Sequence, residues 1–261
     1  MPRELAVRPG LTHVVFDFDG TLSWLRHGWP ELMVSVFRRY LGNPPQVPTG
    51  GWDEPLGEIV WGMNGQPTLK QMTRFAAFAT EHGISVPSPR ELLKEFQDEL
   101  DARIAERLAL IRAGGDPDEF VIFGARPFLE FLRARGLTLV ILSSTIEHRV
   151  REEARALGIA GYFGEHIYGS PVDPTGFTKR AVLERLIGAE GQRLLSFGDG
   201  PVEIAATKEL GGLAIAVCTD EDCNGSGRMD EQKRLQLLAA GADAALPDFR
   251  DAITFTQKVL G

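Results

Sequence analysis

An apolar, β-branched and aromatic run that stops at Asp-Gly opens the pattern. A long stretch of helical periodicity follows, and then a regular alternation of strand and helix patterns. Together these predict an α/β fold with an all-helical insertion after its first strand. A length of 261 residues suits one large domain or two modest ones. The 43% hydrophobic and 25% charged content is ordinary for a globular chain, which excludes disordered and fibrous classes.

The first strand is His13–Phe18 (HVVFDF), read as a buried parallel strand that ends at Asp19-Gly20. Residues 30–41 are expected to be helical. Residues 42–57, broken by Gly and Pro, are expected to form a loop. Helical periodicity resumes over 67–82 and 88–113. In the second segment Leu92, Leu93, Phe96, Leu100, Ile104, Leu108 and Ile111 form one apolar stripe. Ser88, Pro89 and Glu91 have the spacing of an N-cap with a capping box. The stripe packs the insertion or joins two copies, so the chain is read as a monomer or homodimer.

Beyond residue 120, strands are expected at 137–142, 165–169, 193–197, 213–217 and 243–246. Helices are expected at 126–135, 146–158, 178–188, 201–210, 230–240 and 249–259. This alternation implies βαβ units and a Rossmann-like parallel sheet flanked by helices. The expected organisation is an α/β core made of 1–22 and 123–261, with a helical insertion over 23–122.

A net charge of −8 disfavours phosphate backbones and anionic lipid, so neither nucleic acid nor a membrane surface is an expected partner. No apolar run approaches the ~20 residues of a membrane helix, and the first residues lack the apolar centre of a signal peptide. Cys218 and Cys223 read as free thiols, because no further Cys completes a disulfide framework and no His/Cys set completes a zinc site. A cytoplasmic location is expected.

Four polar sites fall at predicted strand or helix ends. Asp17, Asp19, Gly20 and Thr21 follow the first strand, and Ser143, Ser144 and Thr145 follow LTLVIL. Lys179 begins a helix, and Asp199 and Glu203 follow RLLSF. Ligands of open α/β sheets lie beyond the carboxyl ends of the strands, so these sites can converge. Crowded carboxylates need a cation, and hard oxygen ligands beside a phosphate site point to Mg²⁺. A carboxylate nucleophile would pass through an acyl phosphate, with Ser143, Lys179 and backbone N–H groups holding the phosphoryl oxygens.

These motifs carry a resemblance. FDFDGTL at 16–22 resembles the first motif of the haloacid dehalogenase superfamily of phosphohydrolases. LVILSS at 139–144 is similar to its second motif, Lys179 to the third-motif lysine, and FGDGPVE at 197–203 to the acidic fourth motif. The insertion is similar to the helical cap of the subgroup containing phosphoglycolate phosphatase and β-phosphoglucomutase. The resemblance implies Asp17 as nucleophile and Asp19 as general acid/base. It implies Mg²⁺ held by Asp17, the Asp19 carbonyl and Asp199, with Glu203, whose side chain reaches further than Asp, bound directly or through water. It also implies a small phosphorylated metabolite, a sugar or polyol phosphate, as substrate. Gly20, Thr21, Ser143, Ser144 and Lys179 are the expected phosphate contacts. Two positions depart from the pattern: Arg180 follows Lys179 where Pro is frequent, and Glu203 stands where Asp is usual. The second acid, Asp19, argues against a true dehalogenase. A phosphomutase and a non-catalytic phospho-ligand binder are the alternatives.

Other features take plainer readings. Gly198-Asp-Gly200 fails as a dinucleotide fingerprint because Glu203 occupies the third glycine position. Trp29, Trp52 and Trp61 are expected to pack the insertion, whereas Trp24, three residues past Thr21, is expected near the substrate. Arg26 and His27 are read as substrate contacts or surface residues. Lys70 and Arg74 are read as solvated charges, and 219–229 as a polar loop. Ser144 and Thr145 stand as N-cap candidates for the helix from 146.

Overall fold

A computed structural model describes residues 7–42, 51–63, 67–171 and 175–261. Six parallel strands form one sheet in the order β3-β2-β1-β4-β5-β6. They are β1 (His13–Phe16), β2 (Thr138–Ile146), β3 (Ile167–Ser170), β4 (Leu194–Gly198), β5 (Leu213–Val217) and β6 (Ala244–Leu246). Every predicted strand is present. In this order the chain runs outward from β1 to β3 and then returns across β1 to β4. The crevice beyond β1 and β4 is therefore the topological switch point, where α/β sheets bind ligands.

Apolar content explains the sheet. β4 and β5 are buried throughout, as strands covered on both faces must be. Phe16 stacks on Phe197 with ring centroids 5.3 Å apart, and Phe128, Phe163 and Phe249 meet Phe16 edge-on. Truncating one such buried ring costs about 3–5 kcal/mol. This aromatic centre fixes the register of β1 against β4, and so sets where the residues after each strand emerge.

Ten α-helices lie among the described residues. α1 (Trp29–Leu41), α2 (Asp53–Val60), α3 (Thr68–Glu81) and α4 (Pro89–Arg112) come first. α5 (Ala125–Ala134), α6 (Glu147–Ala156), α7 (Lys179–Ile187), α8 (Pro201–Glu209), α9 (Glu231–Ala239) and α10 (Ala252–Leu260) accompany the sheet. The chain divides into two compact units, Met1–His27 with Leu108–Gly261, and Gly28–Arg107.

The second unit is all helical. Phe37 stacks on Phe75 at 3.9 Å over a core that includes Met33, Ile59, Phe78, Leu92 and Phe96. Trp29, Trp52 and Trp61 pack against this core, as the sequence implied. Ser88 caps α4 as expected: its backbone N–H donates to Glu91 Oε2 at 2.8 Å.

Three differences from the sequence reading have physical causes. Of the expected loop 42–57, residues 43–50 lie outside the described residues, but 53–57 belong to α2. Leu56, Ile59 and Val60 supply its buried face, and Pro55 falls in the first turn, where no N–H donor is required. Residues 23–27 and 108–122, placed with the insertion, sit with the α/β unit. There Ser23 bridges Val121, and Trp24 N donates to Phe120 O at 2.8 Å. Finally, β2 runs on to Ile146, with a register shift against β3 between Leu142 and Ile146. Ser144 and Thr145 are thus strand residues and do not cap α6, whose N-cap is Ile146 with no side-chain bond.

Cys218 is buried, Cys223 is exposed, and both are free thiols. Among the described residues no helix is long and apolar enough to cross a membrane.

Candidate active site

Asp17 is the first residue past β1, and its N–H donates to Phe197 O of β4 at 2.9 Å. The chain then turns sharply. The N–H groups of Leu22 and Ser23 both donate to Phe18 O, at 2.9 and 2.8 Å. Gly20 sits in this turn at φ +72°. A Cβ there would lie 2.1 Å from Asp199 Oδ2, so only glycine lets the turn approach the residue after β4. Thr21 completes the junction by donating its hydroxyl to Asp199 Oδ1 at 3.1 Å.

Gly20→Ala is accordingly expected to displace Asp199 and to lower both stability and turnover. The left-handed backbone alone costs about 1–2 kcal/mol, and a misplacement of about 1 Å can cost 10²-fold in rate. Gly10→Ala, which meets nothing within 4 Å, is the matched control. Equal melting temperatures and rates for the two variants would refute this account.

Asp17, Asp199 and Glu203 place one carboxylate oxygen each within 4.8 Å of one another. Lys179, at the start of α7, reaches between two of them. Its Nζ lies 2.9 Å from Asp17 Oδ1 and 3.1 Å from Glu203 Oε2. Thr178 caps that helix, accepting from Ala181 N at 3.1 Å, and so fixes where Lys179 points. Arg180 faces the other way, toward Glu184 and Glu209. Glu203 uses its second oxygen to accept from Gly200 N at 2.6 Å, closing the first turn of α8.

Burial governs the electrostatics. It pushes the Asp17 carboxyl up to about 7, with Lys179 pulling down and Glu203 and Asp19 adding to the rise. Burial likewise raises Asp199 to about 7, against the pull of Lys233. Burial also opposes the charge on Lys179, yet Asp17 and Glu203 more than offset it and hold its ammonium above the usual lysine range.

Asp19 is held by different partners. Thr145 donates its hydroxyl to Asp19 Oδ2 at 2.8 Å, and Arg26 is paired with Oδ1. Ser143 is buried, and its Oγ accepts from Thr145 N at 3.0 Å. Ser144 is exposed. Trp24 stacks on His27 with centroids 3.8 Å apart, and its indole N–H is buried without a hydrogen-bond partner.

The sequence reading set four carboxylates against one lysine, took Arg26 as a substrate contact or surface residue, and missed Lys233. Arg26 pairs with Asp19 and with Glu153 of α6. Lys233 of α9 pairs with Glu221 and lies 3.9 Å from Asp199 Oδ2. Lys233 also reaches Thr219, whose hydroxyl donates to Gly20 O at 3.3 Å, so the loop after β5 braces the turn after β1. A signal for Glu153 existed. It lies on the same helical face as Val150, Ala154 and Leu157, where an acid needs a partner. Arg74, read as a solvated charge, is exposed as expected and lies 3.5 Å from the exposed Glu81.

Hard oxygen donors, two of them half-buried and pushed toward neutrality, are the donor set of a Mg²⁺-like cation. Asp17 and Asp199 fit as direct ligands. Both oxygens of Glu203 already have partners, which fits contact through water.

The family model for haloacid dehalogenase-like hydrolases matches residues 11–211. The chain belongs to the haloacid dehalogenase-like hydrolases. Solved structures share the fold of this hydrolase. A haloacid dehalogenase-like protein of unknown function from Agrobacterium tumefaciens is 17% identical, with a TM-score of 0.66 over 96% of this chain and 100% of that one. A hydrolase of the family from Deinococcus radiodurans, solved with bound phosphate and sodium, is 20% identical, with a TM-score of 0.61 over 97% and 98%. A predicted phosphoglycolate phosphatase from Haemophilus somnus is 18% identical, with a TM-score of 0.59 over 95% and 99%. No curated protein matches the chain. The family generally uses Mg²⁺, in keeping with the acidic cluster of Asp17, Asp199 and Glu203.

Proposed function

We propose that this hydrolase is a Mg²⁺-dependent phosphomonoesterase acting through an aspartyl phosphate on Asp17. Its substrate is a small phosphorylated metabolite, a sugar or polyol phosphate. The observation that carries the reading is the division of labour between two acids two residues apart. Asp17 faces Lys179, Asp199 and Glu203, whereas Asp19 faces Arg26 and Thr145. A binding module would need neither a buried carboxylate against a lysine nor a second acid held separately.

The chemistry follows in two steps. An Asp17 oxygen attacks phosphorus as the bond to the leaving oxygen breaks, and Asp19 gives that oxygen a proton. Asp19 then takes a proton from water, which attacks the aspartyl phosphate and releases phosphate and Asp17. Lys179 orients Asp17 and offsets charge on the transferring oxygens. Ser143, whose Oγ already accepts from Thr145 N, directs its O–H to the phosphoryl group. Gly20 and Thr21 keep the turn against Asp199. Mg²⁺ held by Asp17, Asp199 and the Asp19 carbonyl, with Glu203 through water, would neutralise the anionic cluster and align the phosphate.

The test is hydrolysis of nitrophenyl phosphate and of a panel of sugar and polyol phosphates with Mg²⁺, in wild type and Asp19→Asn. General acid/base help is worth about 10²–10⁴-fold. Asp19→Asn is expected to lose that much on alkyl esters and much less on nitrophenyl phosphate, whose leaving group departs as an anion. Equal losses would remove the acid role. Absence of any phosphate release by wild type would sink the phosphatase reading. Isomerisation of β-glucose 1-phosphate without phosphate release would replace it with a mutase.

A further inference from the structure

We infer that Arg26, clamped by the buried Glu153, is the positioning residue that fixes the Asp19 carboxylate for proton transfer. The inference deepens the phosphatase reading and rests on it. Arg26 follows the turn after β1, on a segment anchored at both sides. Ser23 bridges Val121, Trp24 N donates to Phe120 O, and His27 Nδ1 pairs with Trp24 O at 2.8 Å. The backbone of Arg26 is therefore placed by the main chain around it.

Its guanidinium is placed by α6. Glu153 has 4% of its surface exposed and takes both terminal nitrogens of Arg26, at 2.7 and 3.0 Å. This two-point geometry fixes the plane of the guanidinium as well as its position. A carboxylate this buried needs a cation, and Arg26 supplies it. The nitrogen nearer Glu153 Oε2 is shared with Asp19 Oδ1. Asp19 Oδ2 accepts from Thr145, so both oxygens of Asp19 are held, by groups from two separate elements. Surface arginines of this chain differ: Arg180 is half-exposed and serves two exposed acids.

Proton transfer to a leaving oxygen depends on where the carboxyl oxygen stands. Loss of Arg26 therefore acts through Asp19 and falls mainly on esters whose leaving groups need a proton. It does not act through substrate affinity. Glu153 acts one step further back, by holding Arg26.

The test uses Arg26→Met, Arg26→Lys and the double variant Arg26→Met/Glu153→Met, assayed on nitrophenyl phosphate and on an alkyl phosphate ester. Hydrolysis by wild type and leaving-group selectivity in Asp19→Asn are measured first; their failure would strike the phosphatase reading. Given both, Arg26→Met is expected to lower kcat on the alkyl ester about 30–100-fold with KM nearly unchanged, and on nitrophenyl phosphate less than about fivefold. Arg26→Lys keeps the charge without the fork and should recover part of the loss.

Arg26→Met also leaves Glu153 buried without its cation, so its melting temperature should fall. The double variant removes that stranded acid. It should melt near wild type and still show the alkyl-specific loss, which separates positioning from folding. Three results would overturn the inference. One is an equal loss on both esters. Another is a raised KM with unchanged kcat, which would make Arg26 a substrate contact. The third is alkyl-ester turnover that returns in the double variant together with the melting temperature.

Discussion

Asp17→Asn is expected to abolish turnover, with a fall in kcat on the order of 10⁶-fold, the scale on which loss of a covalent nucleophile acts. The fold should survive. Asparagine has nearly the same shape, and its amide oxygen can still accept from Lys179, which lies 2.9 Å from Asp17 Oδ1. Burial holds the Asp17 carboxyl at about 7, so a neutral group at this position is already tolerated. An amide oxygen cannot form a stable acyl phosphate, which leaves Lys179, Asp199 and Asp19 in place around a site that cannot begin the reaction. The measurement is kcat beside a melting curve, with acid quenching of enzyme incubated with radiolabelled substrate. Label should remain on denatured wild type and be missing from the variant. Retention of more than about 1% of kcat would show that another group attacks phosphorus, because so small a loss is within the reach of positioning alone.

The positions of Asp17 and Asp199 were legible in the sequence because each follows a strand whose apolar run is unmistakable. HVVF and LLSFG announce β1 and β4, and once those strands are parallel neighbours, Asp17 and Asp199 must emerge side by side. Lys179 was legible as the start of a helix, whereas its cap Thr178 was placed inside that helix. The pairings of Arg26, Glu153 and Lys233 were not legible, because they join residues separated widely along the chain. Arg26 meets Glu153 at a separation of 127 residues, and nothing in either local pattern names the other. Thr145 was assigned to capping, a local role. It instead belongs to β2, and its hydroxyl donates to Asp19, a long-range contact. The helix α2 was hidden by Gly51, Pro55 and Gly57, which punctuate a local reading. The buried contacts of Leu56 and Ile59 outweigh them. Local chemistry thus revealed what strands and caps place, while the charges that balance the site were set by packing.

Chelation of Mg²⁺ is expected to stop turnover, and the stability that Mg²⁺ confers should grow as pH rises. Burial pushes Asp17 and Asp199 up to about 7 in the folded chain, from an ordinary aspartate value of 3.8. A raised carboxyl pKa means that the folded state holds its proton more tightly than the unfolded state. The stability this provides is full below about 4 and is lost as pH rises to about 7, at up to a few kcal/mol per group. Lys179 and Lys233, both shifted upward, change charge only in strongly alkaline solution and do not contribute in this window. His13 is lowered by burial and contributes the opposite slope near neutral pH, but it does so with and without metal. The difference between the two conditions therefore isolates the carboxylates. A divalent cation binds their ionised form and competes with the proton, so its effect on the melting temperature should be small at pH 5 and large at pH 8. Asp199→Asn should flatten that dependence. Ca²⁺ should stabilise as Mg²⁺ does and yet inhibit, because its longer bonds and higher coordination number allow it to take both Asp17 oxygens and block attack. Turnover unaffected by chelator, or a metal-induced melting shift of the same size at pH 5 and pH 8, would show that these carboxylates do not hold the metal.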